Sequence, residues 1–235
     1  VKCQMSNVKC HFIKYNISDD NEIFKKIKKV LKVSGRHNLE NALAAYKTGE
    51  RLGLSEKQIL IGLSKFKGTW RRLEMVGELK IKNYKLKIIS DYAHHPTEIK
   101  ATLQALREKY PGQRILLAYQ PHQHNRTKKL FADFITAFDQ ADILILNEIF
   151  DVAGREKNID QDISSRDLVR EIKKKIKLNY SIVKLLNCYY AKTIDETKKK
   201  ILELARTDDV IVIMGAGNID LIARELIAIA PRTLK

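Results

Sequence analysis

Cysteine is nearly absent: three in 235 residues, with no C-x-x-C spacing among them. Cys3, Cys10 and Cys188 therefore form neither a disulfide framework nor a zinc cradle, and they fit a reducing compartment. No apolar run approaches the roughly 18 residues of a membrane helix, and no secretory leader pattern is present. A cytoplasmic protein without a membrane partner is the expectation. Glycine and proline are scarce, 10 and 4, against 44% hydrophobic residues, which excludes a disordered or fibrous chain. An initiating methionine is also missing. Val1 opens the chain, which suggests a piece of something longer.

Acidic residues are the minority, 28 against 44 Lys and Arg, for a formal charge of +16. Such a balance can signal a polyanionic partner. The lysines, however, are dispersed, and the triplets Lys173–Lys175 and Lys198–Lys200 fall inside helical patterns as solvated faces. No basic stretch interleaves with aromatics as a single-strand binder requires. No nucleic-acid partner is expected; phosphate-bearing small substrates suit the charge better.

The length admits one large domain or two modest ones. Residues 1–15 have irregular strand-like alternation, and Phe24 to Val33 reads as helix or as a strand end. Apolar spacing marks a helix from Asn38 to Leu52, stopped by Gly53. A second runs from a Ser55 cap, with Gln58 as capping-box partner, to about Phe66. Gly68 to Gly77 is a connector, followed by strand patterns near Glu78–Ile81 and Lys85–Ser90. Beyond Asp91 short apolar runs alternate with helices: helix 97–109, strand Ile115–Tyr119, helix 126–138, strand Ile143–Asn147. A long loop from Glu148 to Ile163 precedes helix 164–175, a weaker strand near Ile182–Leu186, helix 194–205, strand Val210–Met214 and helix 218–228. This alternation predicts an α/β fold with a mainly parallel sheet covered on both faces.

The chemistry gathers at the predicted ends of strands, where ligands collect in open α/β sheets. Asp91-Tyr-Ala-His-His-Pro-Thr-Glu98 follows one strand, and Pro96 suits a first helical turn, where Thr97 and Glu98 meet unpaired N–H groups. Taken alone, it could be an ordinary turn with surface histidines. Tyr119-Gln-Pro-His-Gln-His-Asn-Arg-Thr127 follows another strand and brings His122, His124 and Arg126 to the same edge. Ser34-Gly-Arg-His-Asn-Leu-Glu-Asn41 opens a helix; Asn38 is expected as its N-cap, and two amides there can bond a purine edge. Thr69-Trp-Arg-Arg-Leu-Glu74 offers paired arginines for phosphate. Gly215-Ala-Gly-Asn218 lacks the third glycine of a dinucleotide fingerprint and reads as a tight turn.

Together with Ala153-Gly-Arg-Glu156 in the long loop, these motifs in this order resemble the Mur ligases, the ATP-dependent enzymes that build the peptidoglycan stem peptide. They are most similar to the alanine-adding branch. The resemblance covers nearly all of the chain from Ser34 on. It implies a C-terminal Rossmann-like domain at residues 73–235, preceded at 1–72 by the end of a central ATPase domain. No G-x-x-G-K-T/S phosphate loop stands in these residues, so the N-terminal and P-loop portions are expected elsewhere in the same protein, and this chain alone should be inactive.

By resemblance, ATP with Mg²⁺ activates the carboxylate of UDP-N-acetylmuramate as an acyl phosphate, and L-alanine attacks to form the amide. Asn38 and Asn41, with His37 beside them, would face adenine; Arg72 would contact the nucleotide phosphates and Asp91 the ribose. Tyr92, His94, His122 and Arg126 would gather at the amino-acid and acyl-phosphate end, His94, His122 and Arg126 as the catalytic set. No residue here is expected to ligate the metal. Relatives commonly carry Arg and Tyr where this chain has Gln123 and His124, which bears on amino-acid identity. Two other readings stand beside this one: a recycling ligase that adds a tripeptide to the same sugar, and a stand-alone nucleotide- or polyanion-binding module.

Overall fold

A computed structural model describes residues 22–81, 84–151, 163–178 and 187–229. The chain divides into two compact units, Val1–Lys67 and Gly68–Lys235. That division falls a few residues before the 72/73 boundary drawn from the sequence. No helix among the described residues is long and apolar enough to cross a membrane.

The described part of the first unit is helical: α1 (Glu22–Val30), α2 (Arg36–Arg51) and α3 (Glu56–Lys65). Phe24 and Ile27, one turn apart on α1, bury against Ala42, Leu43 and Tyr46 of α2 and Ile59 of α3. This packing resolves the ambiguous stretch as helix up to Val30, because Phe24 and Ile27 share one face only at helical spacing; residues 31–33 are neither helix nor strand. The Ser55–Gln58 capping box is present on α3. Asn38 is not the N-cap of α2. Gly35, at φ +101°, holds that place, and its left-handed backbone lets the helix begin at Arg36. Asn38 sits in the first turn and donates its amide back to the Ser34 carbonyl at 2.6 Å.

The second unit is a six-stranded sheet in the order β1-β2-β6-β3-β4-β5. Its strands are β1 (Glu74–Ile81), β2 (Tyr84–Asp91), β3 (Ile115–Tyr119), β4 (Ile143–Asn147), β5 (Asn187–Ala191) and β6 (Val210–Met214). Only β1 runs antiparallel, pairing with β2 across an irregularity between Met75 and Gly77. β1 thus begins inside the expected connector, since Glu74 is already paired with Ser90. Residues 182–186 and the motif at 153–156 lie outside the described residues, as do Cys3, Cys10 and residues 1–15; the strand beside β4 is Asn187–Ala191.

β3, β4 and β6 are buried along their whole length, which is why they read as unbroken apolar runs rather than alternations. On one face Val212, Leu117 and Leu144 pack with Ile99, Leu103 and Leu106 of α4 (Pro96–Lys109), Phe134 of α6 (Phe131–Ala137), and Leu168 and Ile172 of α7 (Ser165–Leu178). On the other, Ile211, Leu116 and Ile145 meet Ile201 of α8 (Ile194–Leu204) and Ile222 and Leu226 of α9 (Asp220–Ile229). Each such side chain contributes about 1.5–3 kcal/mol by leaving water. The single helix expected over 126–138 is two: α5 (His124–Lys129) and α6, divided at Leu130, whose φ −107° and ψ 19° leave helical geometry.

Gly217 has no room for a side chain: an added Cβ would lie 2.3 Å from Gln120 Oε1 and 2.7 Å from the Phe150 ring. Gly62, within α3, meets nothing within 4 Å. Gly217→Ala should therefore destabilise the second unit by about 1–3 kcal/mol through overpacking, whereas Gly62→Ala should stabilise its helix by about 0.5–1 kcal/mol. Urea unfolding of both variants checks this, and equal midpoints would contradict it.

Candidate active site at the sheet's C-terminal edge

Asp91, Met214 and Tyr119 end three neighbouring strands at one level, in register across β2, β6 and β3. The two histidine loops share this edge, as the sequence suggested, but they do not follow adjacent strands. β6 lies between them. They meet all the same, with the His94 and His122 rings 6.4 Å apart between centroids. The turn after β6 allows this. Gly215, at φ +142°, carries no Cβ where one would stand 2.7 Å from the Gln120 carbonyl oxygen, so the chain crosses low between the loops.

The paired arginines divide their work. Arg71 is 6% exposed and donates to the carbonyls of Gly215 and Gly217, the latter at 3.1 Å. Its guanidinium lies 4.9 Å from the Tyr92 ring centre and 3.8 Å from Asp220. Arg72 is exposed, 5.6 Å from the same ring. Sequence reasoning chose Arg72 for phosphate and gave Arg71 no distinct duty; nothing in R-R spacing tells which one turns inward. Asp91 accepts from Leu73 N at 2.7 Å, Ala93 N at 2.8 Å and Thr102 Oγ1 at 3.4 Å. These bonds bind the connector to the end of β2, and any ribose contact would be made alongside them.

His95 is the N-cap of α4, its Nδ1 accepting from Thr97 N at 3.2 Å. Glu98 completes the cap, accepting from His94 N at 2.9 Å and His95 N at 3.2 Å. Burial pushes the Glu98 carboxyl up, but the N–H and charge of His94, the His95 N–H and Arg72 outweigh it and hold it below the usual range. The Tyr119 hydroxyl donates to the His94 carbonyl at 3.3 Å. Burial raises that phenol strongly, and the Arg126 charge works against the rise. One Arg126 nitrogen, Nη1, is buried with no hydrogen-bond partner in the described structure. His122 stacks on Phe150, 5.7 Å between centroids.

Beneath the loops runs a buried amide row. Gln120 donates to Asn147 at 2.8 Å and Asn218 at 3.1 Å, and accepts from Ile219 N at 3.2 Å. Asn147 donates to Thr197 at 2.9 Å. Gln120 stood in the Q-P-H motif but drew no role from it. Beside the row, His124 lies 3.0 Å from Asp151 and 2.9 Å from the Ile163 carbonyl. Gln123, at φ +71°, begins α5. Its backbone conformation is the rarer one for a residue with a side chain. His37, Asn38 and Asn41 share the start of α2 in the first unit, Asn41 exposed; the other six candidates lie in the second. Of the cysteines, Cys188 is buried, and burial pushes its thiol up to about 12, which makes it unreactive.

Three carboxylates near this edge sit below their ordinary values. Glu74 is held down by Arg224 and the Arg71 N–H against burial. Glu98, raised by burial, is lowered further by His94, the His95 N–H and Arg72, and Glu148, raised by burial, is lowered further by Tyr190, by the N–H groups of Ser165 and Ile149, and by His124. Carboxyls depressed on folding stabilise above their unfolded value, about 4.3, and that contribution is lost as pH falls through the folded values. Stability of the second unit should hold from pH 7 to about 5 and fall below about 4. Glu74→Gln should flatten the acid limb. Urea midpoints at a series of pH values test this; a midpoint unchanged down to pH 3 would contradict it.

The sequence profile of the Mur ligase glutamate ligase domain matches residues 71–217. The UDP-N-acetylmuramate–L-alanine ligase of Nitrosomonas europaea is 40% identical over 197 residues, covering 83% of this chain and 39% of that protein. The enzyme of the same name from Agathobacter rectalis is 40% identical over 197 residues, 84% of this chain and 39% of that one. Among solved structures, the UDP-N-acetylmuramate–alanine ligase of Thermotoga maritima superposes with a TM-score of 0.67 at 25% identity, covering 86% of this chain and 40% of that one. A murein peptide ligase from Psychrobacter arcticus gives 0.56 at 26% identity, covering 84% and 38%. The chain spans about two fifths of the length of these relatives. Profile, relatives and fold agree: this chain belongs to the Mur ligase family.

Proposed function

We propose that this chain is part of a cytoplasmic, ATP-dependent, ADP-forming ligase that joins L-alanine to UDP-N-acetylmuramate in peptidoglycan synthesis. Residues 1–72 are the end of its central domain and 73–235 its C-terminal domain. The observation that carries the reading is Arg126 Nη1, a buried cationic donor with no hydrogen-bond partner in the described structure, carried on α5 directly after the loop that follows β3. A buried, unanswered guanidinium nitrogen is costly unless an anion meets it. An amino-acid carboxylate or an acyl phosphate has the charge and size to do so. The L-alanine named for the relatives carries such a carboxylate.

The roles follow from placement. Arg126 clamps the carboxylate of the incoming amino acid. His94 and His122 flank the reacting centre, and Tyr92 borders it. Arg72, exposed above Tyr92, neutralises nucleotide phosphate. Asp91 shapes the ribose end through the backbone it holds. Asn38 and Asn41, with His37, take the adenine edge; the bond from Asn38 to Ser34 leaves its amide oxygen for the base.

ATP supplies the phosphoryl group that activates the muramate carboxylate, and Mg²⁺ shields its phosphates. The P-loop Lys and the Ser/Thr that would hold them are assigned to portions of the enzyme this chain does not span. The adding of alanine, rather than a tripeptide, is favoured by the higher TM-score of the alanine ligase fold, 0.67 against 0.56.

Two results test the reading. The purified 235-residue chain should turn over no ATP with UDP-N-acetylmuramate and L-alanine, because the phosphate cradle is missing; measurable turnover would refute that. In the enzyme restored to full length, Arg126→Ala should raise the KM for L-alanine about ten- to a hundredfold, since a charge-assisted bond is worth roughly 1.5–3 kcal/mol. The KM for ATP should stay. Gln123→Arg should retain activity or lower the alanine KM. An effect of Arg126→Ala on ATP alone would defeat the assignment, and a preference for a tripeptide over alanine would defeat the alanine reading.

A further inference from the structure

We propose that Glu98 is a positioning residue that fixes the His94 imidazole in its Nδ1–H tautomer, leaving the Nε2 lone pair as the ring's acceptor at the site. The function this serves rests on the ligase reading above; the tautomer itself does not.

Two oxygens face His94 Nδ1: the Tyr92 carbonyl at 3.3 Å and Glu98 Oε2 at 3.4 Å. Neither can donate. A carbonyl oxygen only accepts, and a carboxyl whose oxygen takes two backbone N–H donors is ionised at neutral pH and accepts only. A neutral imidazole has one N–H, so the arrangement is satisfied only with that proton on Nδ1. The lone pair then belongs to Nε2.

Glu98 is itself held in place. The same Oε2 accepts from the backbone N–H groups of His94 and His95. The carboxylate is thereby anchored to the start of α4, whose Ile99, Leu103 and Leu106 are buried. From the other side, the Tyr119 hydroxyl holds the His94 carbonyl. The backbone of His94 is pinned at both ends of its peptide, and its ring is oriented by one of the same partners.

In the proposed reaction an amine nitrogen attacks the acyl carbon. The N–C bond forms, the C–O bond to phosphorus breaks, and phosphate leaves with the electron pair. The surplus proton on nitrogen needs an acceptor, and a neutral Nε2 takes it. The imidazolium so formed has its charge beside Glu98, then returns the proton to solvent.

The tautomer is read directly from the 235-residue chain. Long-range ¹H–¹⁵N correlation spectra at about pH 8.5, two units above the ordinary imidazole value, resolve the six histidines. Loss of one set of peaks in His94→Gln identifies His94. The expected pattern is Nδ1–H in the wild type, a reduced Nδ1–H population in Glu98→Gln, and a mixed or Nε2–H state in Glu98→Ala. Glu98→Gln keeps an oxygen for the two backbone donors and so preserves the helix start, which circular dichroism checks. If Glu98→Ala does not fold, Glu98→Gln decides. Nε2–H at His94 in the wild type overturns the proposal, as does an unchanged tautomer in folded variants. In the full-length enzyme, Glu98→Gln should lower kcat about tenfold or more and leave the KM for ATP unchanged. A restored enzyme without ligase activity, alongside the expected spectra, would sink the ligase reading and leave the role of Glu98 in the tautomer standing.

Discussion

A guanidinium buried to 6% exposure must be surrounded by oxygens, and Arg71 organises the edge of the sheet by meeting that demand. It reaches the carbonyls of Gly215 and Gly217, while its own backbone donates to Glu74 and accepts from Tyr92. Glu74 in turn takes both arms of Arg224 at 2.9 and 2.7 Å, and Arg224 lies 3.5 Å from Asp220. One side chain thus joins the connector, the end of β2 and the turn after β6. Removing one partner of such a set leaves the rest desolvated without compensation, which costs more than the pair contributes. The left-handed backbone at Arg71 and Leu73, φ +53° and +47°, is sustained by this set together with the Asp91 carboxylate. Strain of that kind persists only where the surroundings over-determine it.

The middle strand decides how the site is assembled. Parallel pairing brings Asp91, Met214 and Tyr119 level, so two loops and a turn leave the sheet side by side. A turn with side chains between the loops would hold them apart. Glycine at 215 and 217 keeps the middle low, and Gln120 fills the space beneath with an amide whose donors and acceptor are all used. A fully satisfied buried amide is rigid, because every alternative rotamer leaves a group unpaired. His122, two residues beyond Gln120, inherits that rigidity.

Electrostatics separates the site from the rest of a very basic chain. Arg107 and Arg114, at the opposite end of the sheet, are answered by Asp142 and Asp209 at 2.6 Å, and several lysines have surface partners such as Glu225 and Asp139. Arg126 Nη1, by contrast, is a buried nitrogen with no hydrogen-bond partner in the described structure; Arg71 Nε also lacks a hydrogen bond but lies 3.8 Å from the Asp220 carboxylate. The net charge of +16 is therefore a poor guide to where an anion binds. Burial and the lack of a partner say more, since a solvated lysine has water to satisfy it.

Much of this was legible in the residues. Val210–Met214, Ile115–Tyr119 and Ile143–Asn147 are strands because runs buried on both faces are apolar without interruption. The Ser55–Gln58 cap and the histidine loops at strand ends follow from local rules of the same kind. Strand order was not legible: no local pattern says that β6 lies between β2 and β3, since that depends on where α9 packs. Nor could spacing tell which of Arg71 and Arg72 turns inward, because the deciding groups are carbonyls some 140 residues away. Gly35 took the cap from Asn38 because a backbone angle, not a side-chain preference, set the helix start. The sequence by itself determined which residue types meet at one edge of an α/β sheet. Tertiary structure decided which of them are free to act, because that depends on which hydrogen-bonding capacity distant parts of the chain have already used.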